Sequence, residues 1–498
     1  MYISILKVAS KMGRFEKILI NSNGIDKRDS GYYSTPDFIS NYLSSELLRL
    51  NPFGRKVLDP AVGDEELLKT FFIHGKNIDS FDIIEHGNIQ YSNFKKQDFI
   101  EFYKEHKKSL FFENNIDLEY DYYIANPPYN CHEIDYIKDN KKELKSIFPK
   151  VGVHNMYSMF LSAIIDCAKE GALIGVIISD SFLTSTMHSG LRQQILDECS
   201  VHQLILCPND LFWSQKADVR TCILILQKGR KFQDKIEIVN RPKNSNHLKN
   251  ILEKREFITT DLRNIVLSKQ KTANQFIIDI DSAILALFKN PRLGELFDCI
   301  TGISTGNDKK YLSKEQKKGY EIPFYKNPGS KKFKTKEDAY LINHFMEESS
   351  TVKDFMVRNK QFIFKEGITC SSMGLTFSAC YLPPNSTFGV NPNVFTPKVD
   401  IFWMLSYLNS HLITYLVRGI LIRSNMVTSG YISQLPIIPF TNDEKKQLST
   451  ITQDVINSKL DIEEAIKKIN IIIYTNLKLD EYIIEKIEDF ASNLSKRV

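Results

Sequence analysis

The sequence predicts an α/β fold in which a mostly parallel, doubly wound sheet is followed by a mixed α+β domain and a helical C-terminal tail. Three observations predict it. Short apolar runs alternate with helical segments between residues 55 and 228, as expected when helices join parallel strands. The chain between 291 and 440 is rich in Gly, Pro, Ser and Thr, with only short apolar runs. From 441 onward, apolar residues recur at the 3.6-residue spacing of a helix.

The apolar runs define the elements in order. The first strand is KVLD, and the helix after it carries Leu67, Leu68, Phe71 and Phe72. Met156 to Lys169 has helical spacing. The further strands are IDSFDII (78–84), DYYIA (121–125), LIGVIIS (173–179), QLILC (203–207) and VRTCILILQ (219–227). These elements predict five segments, namely an arm (1–30), an α/β domain (31–230), a polar connecting region (231–290), a second domain (291–440) and a helical segment (441–498).

Composition excludes several classes of protein. No apolar run approaches the roughly 18 residues of a membrane span. The first residues are broken by charges and lack the pattern of a signal peptide. Eight cysteines are scattered without a CxxC pair, which favours a reducing cytoplasm and argues against a zinc knuckle. The net charge of +5 permits a polyanionic partner without requiring one. We therefore expect a cytoplasmic, globular protein.

The most informative residues are NPPY, from Asn126 to Tyr129, directly after the strand DYYIA. Ligands of parallel sheets bind at the carboxyl ends of the strands. Pro127 and Pro128 impose extended geometry and remove two backbone donors, so the loop presents two acceptors, the Asn126 side-chain oxygen and the Pro127 carbonyl. Such acceptors activate an aromatic amine because they localise its lone pair. Tyr129 offers a face for base stacking; an ordinary strand-ending turn is the alternative.

In this setting NPPY resembles the catalytic motif of S-adenosylmethionine-dependent amino-methyltransferases. The order of motifs resembles the gamma group of adenine-N6 DNA methyltransferases from restriction–modification systems, from about Gly31 to the end of the chain. The resemblance implies a Rossmann-like methyltransferase domain that binds S-adenosylmethionine and needs no metal for methyl transfer. It also implies catalytic roles for Asn126, Pro127, Pro128 and Tyr129 on the N6 amine of an adenine flipped out of the duplex.

Three further segments match the cofactor site of that family. In GYYSTP, Thr35 and Pro36 match positions at the methionine end of the cofactor, although a capped helix start also explains them. Asp82 matches the acid on the ribose hydroxyls. The cofactor loop DPAVGDEELL and the segment QDF match at Asp59, Pro60, Ala61, Gly63, Asp98 and Phe99, the last two on the cofactor's adenine.

Two positions depart from the family pattern. Glu65 stands where glycine is usual, and glycine there permits a positive φ and a close approach to the cofactor. The acidic side chains of Asp64, Glu65 and Glu66 either face the positive groups of the cofactor or, for Glu66, begin a solvated helix. Asp180 stands where the family usually has proline, and we assign it no role.

The resemblance also extends to recognition of DNA. Phe212 matches the aromatic residue that clamps the target base from its other face, with Trp213 as a weaker candidate; a buried core phenylalanine is the alternative. The segments 293–312, 402–417 and 431–439 resemble parts of target-recognition domains. In that domain the lysine-rich stretch that includes Lys309, Lys310, Lys331 and Lys332 is expected to contact phosphates; a solvated surface is the alternative. The expected partners are double-stranded DNA and, as a candidate, a separate restriction endonuclease or other defence-system subunit, with no membrane.

Three other functions stay open at this stage. Protein-glutamine and RNA methyltransferases also use NPPY-type loops, and a product on release factor or RNA would reveal them. A decayed methyltransferase that only binds DNA or a partner would fail to bind the cofactor. A fused restriction enzyme is disfavoured because the arm before Gly31 is short and no convincing carboxylate–ExK pattern occurs.

Overall fold

The computed structural model describes residues 33–85, 89–109, 118–129, 135–215, 219–229, 235–267, 274–374, 376–396, 400–422 and 426–494. The predicted arm, 1–30, lies outside these residues, and so does Gly31. The chain divides into two compact units, residues 1–279 and 280–498. No helix among the described residues combines the length and the apolar character that crossing a membrane requires.

Unit 1 is built on a nine-stranded sheet with the strand order β3-β2-β1-β4-β5-β7-β6-β8-β9. The first five strands are parallel to one another, and β7 inserts antiparallel between β5 and β6. Strand β8 is parallel to β6, and β9 is antiparallel to β8. The strands are β1 Lys56–Asp59, β2 Asn77–Asp82, β3 Asn93–Lys96, β4 Tyr122–Ala125, β5 Leu173–Ser179, β6 Cys199–Leu206, β7 Thr221–Lys228, β8 Lys235–Val239 and β9 Ile258–Asp261.

Helices cover both faces of this sheet, as the predicted fold class requires. Alternate residues along the central strands enter two separate hydrophobic clusters; Tyr123 and Ala125 of β4 join one, Tyr122 and Ile124 the other. The helices are α1 Asp37–Leu50, α2 Lys69–Ile73, α3 Phe99–Ser109, α4 Asp135–Asp139, α5 Lys141–Ile147, α6 Met156–Cys167, α7 Ser189–Glu198, α8 Ser245–Lys254 and α9 Leu262–Ile265, with 3₁₀ turns at Asp180–Leu183, Thr186–His188 and Trp213–Gln215.

The structure differs from the prediction in the segment 231–290. Strands β8 and β9 and helix α8 from this segment extend the same sheet, and a two-stranded ribbon of β10 Val266–Leu267 and β11 Gln275–Phe276 follows. The prediction of a connecting region was wrong for these elements. Strands at the end of a sheet are half exposed, and β9 has no buried residue, so their sequences lack the apolar run by which strands were recognised.

Unit 2 combines small sheets with helices. Its strands are β12 Asp298–Ile300, β13 Ile303–Ser304, β14 Leu312–Ser313, β15 Tyr320–Tyr325, β16 Ala339–Ile342, β17 Met356–Val357, β18 Gly367–Cys370, β19 Ala379–Leu382, β20 Thr387–Phe388 and β21 Asn393–Phe395. They form the sheets β12-β21-β18-β19, β13-β17 and β14-β16-β15-β20.

The helices of unit 2 fall into two groups. Short ones lie among the strands, and the last three confirm the helical periodicity predicted after 441. They are α10 Ser282–Leu287, α11 Leu293–Leu296, α12 Asp308–Tyr311, α13 Phe345–Thr351, α14 Ile401–Leu408, α15 His411–Tyr415, α16 Ser429–Ile432, α17 Asn442–Ile456, α18 Ile462–Leu477 and α19 Glu481–Ser492, with a 3₁₀ turn at Lys360–Phe362 and a π-helix at Leu416–Leu421.

Candidate active site

The cofactor loop leaves the carboxyl end of β1 and starts from a buried acid. Asp59 is fully buried, and its Oδ1 accepts a hydrogen bond from the backbone N–H of Ala61 at 3.0 Å. Its Oδ2 is buried and has no hydrogen-bond partner among the described residues. Burial raises the pKa of Asp59 well above its ordinary value, and the neighbouring carboxylate of Asp82 adds to this. A buried carboxylate oxygen without a partner is costly, so this position suits a ligand that carries a donor or a positive charge.

Gly63 joins the cofactor loop to the next strand. Its φ is 55°, in the left-handed region that glycine adopts without strain. Its N–H donates to Oδ2 of Asp82 at 3.0 Å, while Oδ1 of Asp82 accepts from the N–H of Ile84 at 3.1 Å. The structure therefore brings together Gly63 and Asp82, which are 19 residues apart in the chain.

Glu65 has a structural role in this loop. Its φ of 59° is in the same left-handed region, so the backbone keeps the conformation that a glycine would favour. The side chain is only 2% exposed, and its carboxylate accepts hydrogen bonds from the N–H groups of Gln90 (2.6 Å) and Tyr91 (3.0 Å) and from the hydroxyl of Ser92 (2.6 Å). Glu65 thus ties the cofactor loop to the segment that leads into β3.

Asp98 and Phe99 begin α3 and differ in their surroundings. Asp98 Oδ1 caps the helix by accepting from the N–H of Ile100 at 2.8 Å, and burial raises the pKa of this carboxyl. Phe99 is 1% exposed and packs against Phe81 and Phe160 at centroid distances of 6.5 and 5.5 Å. The structure therefore places Phe99 in the hydrophobic core, whereas Asp98 retains its second oxygen, Oδ2, for a ligand.

The NPPY loop follows β4, and its asparagine is held in one orientation. The amide Nδ2 of Asn126 donates to the carbonyl of Tyr33 at 2.8 Å and to Oγ1 of Thr35 at 3.0 Å. Oδ1 of Asn126 lies 2.5 Å from the hydroxyl of Tyr129, which donates to it. The carbonyl of Ile177 lies 3.1 Å from the same hydroxyl. Asn126 and Tyr129 are thus brought together with Tyr33 and Thr35 of the GYYSTP segment.

A third aromatic ring, that of Tyr33, lies against both residues that are predicted to stack on the target base. We call the space between the rings of Tyr129 and Phe212 the base slot. The ring of Tyr33 stacks on that of Tyr129 with a centroid distance of 5.9 Å and an interplanar angle of 24°. It also lies 5.9 Å from Phe212, tilted by 52°. Phe212 is fully buried in a hydrophobic cluster of unit 1, as the alternative of a core residue requires, while Trp213 is 63% exposed.

The backbone of Tyr33 and Ser34 is fixed by side chains. Besides the bonds from Asn126, Gln215 Oε1 accepts from the N–H of Ser34 at 2.9 Å, and Gln215 Nε2 donates to the Ser34 carbonyl at 2.6 Å. Thr35 is 3% exposed, and its hydroxyl oxygen accepts the hydrogen bond from Asn126. Helix α1 starts instead from Pro36, without a side-chain cap, so the capped start at Ser34 or Thr35 was wrong.

Sequence reasoning missed Tyr33 and Gln215. Both lie within segments that carry the family resemblance, GYYSTP and NDLFWSQ, so a search of those segments for a further aromatic ring and a further amide would have found them. Asp180, to which we assigned no role, is fully buried and forms an ion pair with Arg241. Arg241 also donates to the carbonyl of Cys207, so this pair joins the ends of β5, β6 and β8.

The predicted DNA-contacting lysines of unit 2 fall into two groups. Lys309, Lys310 and Lys331 are exposed, and the ammonium of Lys310 lies 4.6 Å from the ring centroid of Tyr311. Lys332 is half-buried; its ammonium donates to the Asn409 carbonyl at 3.2 Å, and burial lowers its pKa to about 8. The first three retain the placement that phosphate contacts need, and Lys332 does not.

Comparison with known proteins identifies the family. Residues 10–277, more than half of the chain, match the family model described as N-6 DNA Methylase. The chain belongs to the N-6 DNA methylase family. Family membership implies S-adenosylmethionine as the methyl donor. Four residues at the carboxyl ends of the strands fit such a ligand. Asp59 has a buried oxygen without a partner, Gly63 has a left-handed backbone, and Asp82 and Asp98 carry carboxylates that accept from backbone N–H groups.

One curated relative and two solved structures are similar to this chain. The type II methyltransferase M.BanIII of Aneurinibacillus aneurinilyticus is 29% identical over 208 residues, which cover 36% of this chain and 36% of that enzyme. The DrdV–DNA complex is similar with a TM-score of 0.54 at 12% identity, over 92% of this chain and 61% of that one. The ATP-dependent type ISP restriction-modification enzyme LlaBIII, bound to DNA, gives a TM-score of 0.54 at 12% identity, over 86% of this chain and 39% of that one. At this identity the two structures show a shared fold.

Proposed function

We propose that this methylase transfers a methyl group from S-adenosylmethionine to the N6 amine of a specific adenine in double-stranded DNA, as the modification component of a restriction–modification or similar defence system. The observation that carries the proposal is the position of Asn126 and Tyr129 at the carboxyl end of β4, adjacent in the sheet to β1, whose end begins the cofactor loop. Family membership and the type II methyltransferase relative support it.

The NPPY loop supplies acceptors to an amine that is a poor nucleophile. The side-chain oxygen of Asn126 and the carbonyl of Pro127 accept the two amine hydrogens and draw the nitrogen toward tetrahedral geometry. Charge that develops on the nitrogen during transfer then meets dipoles that are already oriented. S-adenosylmethionine, when bound, supplies an activated methyl group on sulfur. The nitrogen would gain the methyl group as the S–C bond breaks, with S-adenosylhomocysteine as the leaving group, and its surplus proton would pass to water, so no covalent bond to the enzyme is needed.

The hydrogen bonds of Asn126 show what must change before an adenine is accepted. Its Oδ1 accepts a hydrogen bond from the hydroxyl of Tyr129, and the Tyr33 ring lies against both Tyr129 and Phe212 at the base slot. A target base therefore has to displace Tyr33 and replace the Tyr129 hydroxyl as the donor to Asn126. The two bonds from Nδ2, to Tyr33 and Thr35, keep Oδ1 directed at the slot during this exchange.

Removal of the target base from the duplex costs a few kcal/mol, and stacking repays part of it. One base between Tyr129 and Phe212 gains about 1–3 kcal/mol per aromatic contact. In unit 2, the exposed ammonium groups of Lys309, Lys310 and Lys331 are suited to phosphate contacts, which position a duplex without reading its sequence. The DNA-bound neighbours DrdV and LlaBIII support duplex DNA as the partner.

The proposal is tested by Asn126→Ala with two measurements on the same preparation. We expect methyl transfer to genomic DNA to fall by at least about 100-fold, since an oriented dipole at the reacting atom is lost. The dissociation constant for S-adenosylmethionine, measured by calorimetry, should change by less than about threefold, because Asn126 contacts Tyr33, Thr35 and Tyr129 and no residue of the cofactor loop. An active Asn126→Ala enzyme would refute the assignment.

A further inference from the structure

A groove in unit 2 has the chemistry of a surface that reads base edges. It has a volume of about 510 Å³ and lies between the end of α13 and strand β17. Three of its lining residues are cations, Lys353, Arg358 and Lys360, and its lining includes no carboxylate. A concave surface with this charge attracts a polyanion.

The groove also contains the three kinds of group by which proteins distinguish bases. Arg358 is a donor with two parallel N–H groups, and its Nη2 lies 3.5 Å from Sδ of Met356, which restricts its position. Met356 is 43% exposed and offers an apolar contact. The hydroxyls of Ser349 and Ser350 donate their protons to the Met346 carbonyl at 2.7 and 3.2 Å, so toward a ligand they act as acceptors. In a major groove these groups match the acceptors of guanine, the methyl of thymine and the amino groups of adenine or cytosine.

Cations suited to phosphates flank this groove. A second concavity of about 290 Å³ is lined by Lys309, Lys314 and Lys326 and by Asp308 and Asp338, and Lys326 pairs with Asp308. Helix α12, which carries Lys309, packs against the groove wall because the ring of Tyr311 lies 4.7 Å from that of Phe355, edge to face. The ammonium of Lys310 lies 3.9 Å from Glu348 on α13. Phosphate contacts that position a duplex therefore adjoin groups that are able to read it.

We propose that the groove formed by residues 349–360 reads base edges of duplex DNA and that Arg358 determines specificity for a guanine in the target sequence. The inference rests on the proposed function for its substrate. It goes further by naming the surface and the residue that choose the sequence.

The test measures which DNA sequences the protein binds, so it does not depend on methyl transfer. Full-length wild type, Arg358→Ala, Arg358→Lys and the control Lys467→Ala are each mixed with a random duplex library and S-adenosylhomocysteine, and bound DNA is sequenced. Lys467 is an exposed cation on α18, outside the groove. Methylation of genomic DNA by wild type is measured in parallel.

Wild type and Lys467→Ala should enrich one common motif. Arg358→Ala should lose the preference for one guanine by roughly 5- to 150-fold, while the other positions stay as in wild type, because a bidentate arginine–guanine contact gives about 1–3 kcal/mol. Arg358→Lys should retain part of that preference, and its melting temperature controls for folding. If Arg358→Ala enriches the wild-type motif unchanged, or binds every sequence equally more weakly, Arg358 is a phosphate contact and the inference is wrong. If wild type methylates DNA but enriches no motif, the inference fails while the proposed function stands.

Discussion

The ring of Tyr33 makes a quantitative prediction about the base slot. Tyr33→Ala removes the ring that contacts both Tyr129 and Phe212 but leaves the backbone carbonyl that accepts from Asn126. Each aromatic pair contributes about 0.5–1.5 kcal/mol beyond area burial, so emptying the slot of Tyr33 costs roughly 1–3 kcal/mol for two pairs. Apparent affinity falls by the fraction of molecules that are open. Tyr33→Ala should therefore bind a flipped adenine roughly 5- to 150-fold more tightly than wild type.

The assay is fluorescence anisotropy in the presence of S-adenosylhomocysteine. The duplex contains the sequence that the enzyme methylates, with its target adenine unmodified. A second duplex lacks the target base and so has nothing to place in the slot. We expect Tyr33→Ala to tighten binding of the first duplex only. Tyr33→Phe, which keeps the ring, should bind both as wild type does. Equal or weaker binding of the intact motif by Tyr33→Ala, or the same gain on the duplex without the base, would refute displacement of Tyr33 by the target adenine.

Two further predictions concern stability. Glu65→Gly should lower the melting temperature. The loss of three hydrogen bonds to a buried carboxylate costs at least about 3 kcal/mol, which exceeds the roughly 1 kcal/mol that a glycine at positive φ gains. Glu65→Ala should be less stable still, because it loses the hydrogen bonds and keeps the backbone strain. A melting temperature of Glu65→Gly at or above wild type would contradict this role. Burial lowers the pKa of His188 to about 3, so as the pH falls below 6.5 the unfolded chain binds a proton that the folded chain does not, and stability should fall by about 2 kcal/mol at pH 5. His188→Gln should lose less stability than wild type between pH 7 and pH 5 in thermal melts; parallel curves would contradict the buried neutral histidine.

The central strands of the sheet could be predicted from the sequence because they are buried on both faces. LIGVIIS was predicted with the bounds that β5 has, and KVLD with those of β1. The edge strands could not be predicted from the sequence. Strand β3, NFKK, has no buried residue, and β9 has none either, so neither carries a hydrophobic pattern. The antiparallel insertion of β7 between β5 and β6 follows from how the chain returns to the sheet, which a run of apolar residues does not encode.

Some residues of the candidate site could also be predicted from the sequence, and others could not. Asn126, Tyr129 and Phe212 were recognisable because each lies in a motif, and the structure brings the first two into direct contact. The position of Tyr33 could not be predicted from the sequence, because it depends on contacts between residues about 90 to 180 positions apart. The role of Glu65 was also hidden. The sequence shows an acid in place of glycine, but only the fold shows which way its carboxylate points.

Sequence-specific methylation of adenine is measured by incubating the purified protein with S-adenosylmethionine and unmethylated genomic DNA and mapping N6-methyladenine by single-molecule sequencing. We predict methylation at one short recurring motif, and none by Asn126→Ala. A folded wild-type protein that binds S-adenosylmethionine and leaves adenine unmodified throughout the genome would contradict it.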